Sequence, residues 1–346
     1  MRKLASIRKI AEINPIENAD AIEVATVDGW KVVVKKGEFN VGDLAVYLEV
    51  DSWVPTELAP FLTKGKQPRE FNGVKGERLR TIKLRGQLSQ GLLLPLTQQI
   101  QHEFAQTFEF SYEARYLQEG DDVTEILGIQ KWERPIPAQL AGVMKGSFPS
   151  FIPKTDQERA QNIVKEIKTA AEAELMFEVT EKLEGSSMTC YLRDGEFGVC
   201  SRNIDLKFDE TNSFWARAIE ENIEAKLRAL GRNIAIQGEL IGPGIQGNIY
   251  NMPQTRYRVF DIYDIDKGEY LLPAERRRLC EVLGLIHVPV VFEYFMLDGD
   301  VQGLLEIADG ESSLNSFVLR EGLVFKQVDG GMTFKAVSNK YLLGEK

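Results

Sequence analysis

The sequence predicts an α+β chain of two domains, a small β-barrel followed by a domain of antiparallel sheets flanked by helices, and three observations carry that expectation. The first third breaks into short apolar or alternating runs at 21–27, 30–34 and 44–50, parted by turn residues such as Asp28-Gly29 and Asn40-Val41-Gly42-Asp43, as in a small barrel. Beyond it, strand-like runs mix with helical periodicity, clearest where Phe214, Ala218, Ile219, Ile223, Leu227 and Leu230 recur. A length of 346 residues also exceeds what one hydrophobic core usually holds. The boundary is set between 135 and 136, giving domains 1–135 and 136–346, inside a proline-punctuated connection that runs from Trp132 to Pro153.

Along the first domain the strands continue through 79–86 and 87–95, where basic and apolar residues alternate, so that Arg78, Arg80, Lys83 and Arg85 fall on exposed strand or loop surface. After the connection, Thr155-Asp156-Gln157-Glu158 has the form of a capping box, with Thr155 as N-cap and Glu158 three residues on, opening a helix through about Ala171. Residues 175–179 and 188–192 read as strands, the second turning at Arg193-Asp194-Gly195-Glu196 and returning to Ser201, Arg202 and Asn203. An apolar strand at 234–236 delivers Gly238 and Glu239, and the strand 256–263 carries Phe260. A helix opens at Pro273 and reaches Leu283, with an edge strand at 288–291 behind it. Finally 322–328 and 333–337 flank Asp329-Gly330-Gly331-Met332 and pair as a hairpin. With all four residues in its loop, Lys326 lies directly opposite Lys335, which disfavours the sheet unless an anion sits between the two cations.

Composition narrows the function. The net charge of −10 argues against nonspecific coating of nucleic acid, which needs a broad basic surface. Charge is uneven, however: Lys64, Lys66, Arg69, Lys75, Arg78, Arg80, Lys83 and Arg85 crowd one stretch that carries only Glu70 and Glu77 as acids, either a solvated face or a nucleic-acid contact. With two histidines, a histidine triad or a histidine-rich metal site is nearly excluded. Cys190, Cys200 and Cys280 lack metal spacing and read as small core residues. No apolar run approaches the roughly 18 residues of a membrane span, and Met1-Arg2-Lys3-Leu4-Ala5-Ser6 lacks a secretory stretch, so the cytoplasm or an equivalent reducing space is the expected location.

One lysine organises the chemistry. Lys182 stands in Thr180-Glu181-Lys182-Leu183-Glu184-Gly185-Ser186-Ser187, at a strand end, two residues from a carboxylate and three from a glycine. Such a lysine can attack phosphorus, since the acid can hold a metal and the glycine lets the chain turn close to a nucleotide. A free lysine has a pKa of about 10.4 and needs help to act as a nucleophile. Glu239, a carboxylate ending a buried strand, must be paired with a cation or used for metal work.

Downstream of Lys182, in a consistent order, come Ser201-Arg202-Asn203, Gln237-Gly238-Glu239-Leu240-Ile241-Gly242, Val259-Phe260-Asp261-Ile262-Tyr263, Arg320-Glu321-Gly322-Leu323-Val324-Phe325-Lys326, and Phe334-Lys335 followed by Lys340. This series resembles the nucleotidyltransferase motifs of ATP-dependent RNA ligases. The first domain likewise resembles the N-terminal OB-type barrel of nick-sealing RNA ligases of the Deinococcus type, and 18–43 is also similar to structure-specific tRNA-binding modules. Such barrels carry nucleic acid on a curved face.

The resemblance covers nearly the whole chain and implies ATP and Mg²⁺ or Mn²⁺ as cofactors, RNA or an RNA-containing nicked duplex as partner, and a monomer that needs no membrane. It implies lysyl-AMP formation on Lys182, transfer of AMP to a 5′-phosphate, and attack by a 3′-hydroxyl. Glu184, Glu239 and Glu321 would surround the metal; Lys326, Lys335 and Lys340 would offset phosphate charge. Arg159, in Lys154-Thr155-Asp156-Gln157-Glu158-Arg159, would grip pyrophosphate, and Glu181, Gly185, Arg202 and Phe260 would line the nucleotide, Phe260 by stacking on adenine. DNA ligases and capping guanylyltransferases share the lysine chemistry but usually place their barrel after the catalytic domain. A noncatalytic RNA-binding protein is the rival from another class.

Overall fold

A computed structural model describes residues 3–106, 116–133 and 142–344, and the chain divides into two compact units: Met1–Pro135 with Gln161–Val164, and Ile136–Ala160 with Lys165–Lys346. Both are built on antiparallel sheets, and the class is α+β as expected. Among the described residues no helix is long and apolar enough to cross a membrane.

The first unit takes its shape from the strand Leu44–Leu48, which pairs with Ala5–Lys9 on one side and Leu92–Pro95 on the other. Its run is apolar throughout because both faces are used: Val46 and Leu48 enter a core with Ile7, Val54 and Val123, while Ala45 and Tyr47 enter another with Trp30, Val32 and Phe39. Trp30–Lys35 shows the complementary case, alternating buried and less buried positions as a half-buried strand should. Separate strands form a three-stranded sheet around Ile22–Val27, a four-stranded sheet around Ser52–Pro55 and Val74–Arg78, and a ribbon of Ile82–Leu84 with Gln87–Ser89. The segment 161–164 folds onto this unit. The Trp30 indole donates to Asn162 Oδ1 at 2.6 Å, Asn162 donates to the Glu49 carboxylate, and a Cβ on Gly29 would sit 2.8 Å from Gln161 Cα.

The second unit holds a seven-stranded antiparallel sheet, in spatial order Met144–Ser147, Ile204–Leu206, Glu196–Cys200, Ser186–Arg193, Ile234–Ile241, Arg256–Asp264 and Glu269–Tyr270. Helices Ser213–Glu220, Ile223–Leu230 and Pro273–Leu283 cover it through Trp215, Leu227 and Cys280, which join Met188, Ile236 and Val259 in the core. Its second sheet runs Glu158–Arg159, Thr333–Val337, Gly322–Gln327, Met176–Lys182 and Val290–Met296, with Phe177, Phe325 and Phe334 fully buried.

Two expectations fail here for physical reasons. No helix opens at Thr155: Glu158–Arg159 pairs in parallel with Phe334 and Lys335, a 3-10 turn follows at Ala160–Asn162, and the helix spans only Val164–Glu172. Sheet pairing and the burial of Arg159 and Ala160 override the local cap, and the Glu158 carboxylate accepts from the Arg159 amide at 2.9 Å instead. The last hairpin is shifted by two residues, with Lys326 opposite Thr333 and Lys335 opposite Val324. An even shift keeps both lysines on one face but makes them diagonal neighbours, so neither confronts the other directly.

Candidate active site

Lys182 ends a strand of the five-stranded sheet and Ser186 begins one in the seven-stranded sheet, so Leu183-Glu184-Gly185 carries the chain from one sheet to the other. Leu183 anchors this crossing by burial against Ile241, Tyr250 and Val288. Gly185 has no room for a side chain: a Cβ there would lie 2.5 Å from the Leu240 carbonyl oxygen and 2.7 Å from Glu239 Cγ. Its smallness therefore serves a close approach between the motif and the strand Ile234–Ile241, which brings Glu239, paired with Ser187, alongside the lysine's loop.

Strand alternation puts Glu178, Thr180 and Lys182 on one face of Met176–Lys182 and Phe177, Val179 and Glu181 on the other. The Lys182 ammonium lies 2.5 Å from Glu321 Oε1, whose neighbour Gly322 pairs with Lys182 across the ladder. Glu239 is enclosed enough that burial pushes its carboxyl up to about 8; Lys182 and Arg202 oppose that rise, and the negative Glu321 adds to it. Two acids, the lysine and an arginine thus sense one another at the join of the sheets. Glu184 faces a different set: its Oε2 accepts from the Tyr341 hydroxyl at 2.6 Å, its Oε1 from the Gly247 amide at 3.4 Å, and its own amide donates to the Tyr250 oxygen at 2.6 Å. Among the described residues no three acids or other metal-ligating side chains are grouped closely enough to hold a metal ion directly.

Lys326, Lys335 and Arg202, three of the phosphate-binding candidates, stand beside carboxylates. Lys326 Nζ lies 2.6 Å from Asp261 Oδ1 and donates to the Phe260 carbonyl at 2.8 Å; burial lowers its pKa to about 8 despite Asp261. Lys335 Nζ is 3.5 Å from Asp156 Oδ1, and Arg202 reaches the other oxygen of Asp156 at 4.0 Å. Arg159 is buried next to Lys335 in the parallel ladder. A β-bulge opposite Gln237 and Gly238 makes Phe260 the extra residue, and this explains how adjacent side chains reach one target: the Phe260 ring centre is 6.0 Å from Lys326 Nζ while Asp261 pairs with it. A regular strand would send the two to opposite faces. Lys340 sits exposed on the helix Asn339–Leu343, its amide bound to Asp309.

The Glu181 side chain does not face the Lys182 site; it is buried on the other side of the strand, accepting from Ser312 Oγ at 2.5 Å and the Ser313 amide at 2.7 Å. Sequence reasoning also missed Tyr250, Tyr341 and Asp156, and beneath Lys326 it missed a buried charge cluster. There Arg276, 1% exposed, binds the Glu178 carboxylate, lies 3.5 Å from Asp261 and donates to His287 Nε2 at 2.9 Å. His287 is thereby a neutral acceptor whose Nδ1–H donates to the Val288 carbonyl at 2.6 Å, and burial with the adjacent Arg276 lowers its pKa to about 3. The available signals were the charged Glu178 and Asp261 inside otherwise apolar strands.

In the first unit Arg80, Lys83 and Arg85 are exposed around the ribbon Ile82–Leu84, whose two-residue loop Arg85-Gly86 takes positive φ at both positions. Arg78 behaves differently. It pairs with Asp51 at 2.5 Å and lies 3.8 Å over the Trp132 ring, so it contributes to holding the fold together.

Comparisons with known proteins agree with this layout. Residues 4–96 match the model of an OB-fold domain, and residues 176–341 match that of an RNA ligase. No curated protein matches the chain. Among solved structures it is similar to an RNA ligase of Naegleria gruberi with pyrophosphate, at 47% identity over 99% of this chain and 98% of that one, with a TM-score of 0.86. A glutamate-to-alanine mutant of that ligase with AMP and manganese gives 47% identity over 99% and 98%, TM-score 0.87. A lysine-to-alanine mutant with ATP and manganese gives 47% over 98% of each chain, TM-score 0.86.

Proposed function

Since this chain belongs to the RNA ligase family, we propose that it seals 3′-hydroxyl/5′-phosphate breaks in RNA, nicks in duplexes foremost, through an adenylate carried on Lys182. It is an ATP-dependent RNA ligase that works with a divalent metal. The observation that carries the finer reading is the pairing of Lys182 with Glu321 at 2.5 Å, beside a second acid, Glu239, and the cation Arg202.

The residues present suit a hydrated divalent ion. The negative Glu321 adds to the cost of ionising the buried Glu239, a conflict that a cation relieves, and with no directly coordinating triad among the described residues the acids would hold it through water. Mg²⁺ or Mn²⁺ bound by Glu184, Glu239 and Glu321 would supply positive charge at the α-phosphate.

The chain's own groups do the rest. Lys182 must shed the proton it shares with Glu321 before its nitrogen attacks the α-phosphorus; the N–P bond forms as the bond to pyrophosphate breaks. Lys326 and Lys335 offset the charge gathering on the phosphate oxygens, and Arg159 and Arg202 steady the departing pyrophosphate. The AMP then passes to a 5′-phosphate, a 3′-hydroxyl displaces it, and Lys182 is restored. Phe260 offers its ring face to adenine. The exposed Arg80, Lys83 and Arg85 hold the duplex backbone.

Incubation with ATP and Mg²⁺ followed by intact-protein mass tests this. The parent gains one AMP, while Lys182→Ala and Lys182→Arg gain none, the latter because guanidinium stays protonated. An undiminished gain in either variant removes Lys182 as nucleophile. Sealing of matched nicked duplexes with RNA or DNA on each side then tests the substrate.

A further inference from the structure

Glu184 is held by two chain segments that are far from it in sequence. The Gly247 amide and the Tyr250 hydroxyl come from the glycine-rich loop after Ile234–Ile241, and the Tyr341 hydroxyl comes from the terminal helix Asn339–Leu343. That helix contributes no buried residue to either core. Its attachments are polar: Ser338 Oγ donates to Asp309 at 2.7 Å, the Lys340 amide donates to the same carboxylate at 3.1 Å, and Tyr341 donates to Glu184 at 2.6 Å. Tyr341 is half-buried, and its hydroxyl is directed at the acid two residues after the nucleophile.

We propose that Tyr341 is a positioning residue for adenylylation: its phenol fixes the Glu184 carboxylate, and so ties the ordering of the terminal helix to the geometry of the Lys182 site. The inference rests on reading Glu184 as a metal-facing acid. Committing Oε2 to the phenol fixes the carboxylate's rotation and leaves its remaining lone pairs aimed in one direction, which is what a hydrated ion requires of an outer partner. The same helix places Lys340 one residue before the phenol, so a single short element brings both a cation and the restraint on Glu184.

Tyr341→Phe, Glu184→Ala and the double variant, each in the full chain, test this with two readouts. The first is amide hydrogen exchange over 339–343 without ATP or metal; the second is the rate of AMP attachment as Mn²⁺ is titrated. Both single variants should exchange faster over that segment. Tyr341→Phe should need about 10-fold more Mn²⁺ for half-maximal rate, the low end of what losing an outer-shell partner costs, and should add nothing to Glu184→Ala. A Tyr341→Phe protein whose Mn²⁺ curve overlays the parent's overturns the inference, while a slow Glu184→Ala protein leaves the reading of Glu184 standing. Additive effects overturn it as well, because Tyr341 would then act through something else. A Glu184→Ala protein at the parental rate across all Mn²⁺ concentrations removes the reading of Glu184 and the inference together.

Discussion

Replacing Arg276 by methionine perturbs the charge cluster under Lys326 at its centre. Arg276 is 1% exposed and serves three partners: the Glu178 carboxylate, Asp261 at 3.5 Å and the His287 ring at 2.9 Å. Asp261 keeps Lys326 at 2.6 Å when the arginine goes, but Glu178, itself 1% exposed, is left with Arg277 alone at 3.0 Å. Removing one partner of a buried ion pair costs about 3–5 kcal/mol, mostly because a charge stays buried without compensation. For a unit of this size that corresponds to a melting temperature lower by roughly 10 °C. If an uncompensated Glu178 is the cause, Glu178→Gln on top of Arg276→Met should return about half of the loss, since the stranded charge is then gone. Thermal and urea unfolding of the two single variants and the double supply the cycle. A loss below about 1 kcal/mol in Arg276→Met, or strictly additive losses in the double, would refute the reasoning.

His287 gives a pH dependence of defined sign: its pKa of about 3 lies below the ordinary 6.5, so the unfolded chain takes up the proton first and stability is withdrawn as pH falls from about 6.5 towards 3. His287→Gln should flatten that limb by up to about 1.4 kcal/mol per pH unit in urea titrations at several pH values, and an unchanged slope would count against it. Gly185→Ala forces a Cβ to 2.5 Å from the Leu240 oxygen, so it should destabilise by about 1–3 kcal/mol and slow AMP attachment; a parental rate would show that the approach of Glu239 is not needed. Replacing Arg80, Lys83 and Arg85 by alanine should weaken binding to a nicked RNA duplex and flatten its salt dependence by roughly 0.9 for each phosphate no longer neutralised, with AMP attachment unchanged. Overlapping salt curves would leave the ribbon a solvated face. Arg78→Ala, by contrast, should lower the melting temperature by removing the ion pair with Asp51 and the stacking on Trp132.

What could be read in the sequence was local. The runs around Trp30 and Tyr47, the helix opening at Pro273 and the hairpin after Lys182 announce themselves through alternation, a proline at the first helical position and an Asp-Gly turn, all properties of neighbouring residues. The failures share the opposite character. Thr155 to Glu158 satisfies every local rule for a helix start and still forms none, because the strand Thr333–Val337, which no neighbouring residue reveals, offers Glu158 and Arg159 a better partner. The two-residue slip that separates Lys326 from Lys335 comes from a loop that takes in Val328, a residue whose character argues for strand. Glu181 was named through the resemblance as a residue lining the nucleotide, yet in a strand neighbouring side chains go to opposite faces, and its carboxylate meets Ser312 and Ser313 on the far side from Lys182.

The same limit explains why the motif residues were found and their partners were not. The cations of the site are engaged by the protein's own acids: Lys182 with Glu321, Lys326 with Asp261, Lys335 with Asp156, and Arg202 at the edge of Asp156. Without these acids the positive groups would repel one another and oppose folding, and on the function proposed above a polyphosphate would take their place. Their strength has to be intermediate. Lys335 lies 3.5 Å from the partly exposed Asp156, a looser pairing than that of Lys326 with the buried Asp261 at 2.6 Å, which holds that lysine in place. On the function proposed above, a nucleotide would compete with Asp156 and Glu321 for their lysines and leave Asp261 where it is, dividing the carboxylates into those that yield to phosphate and one that aims a lysine at it.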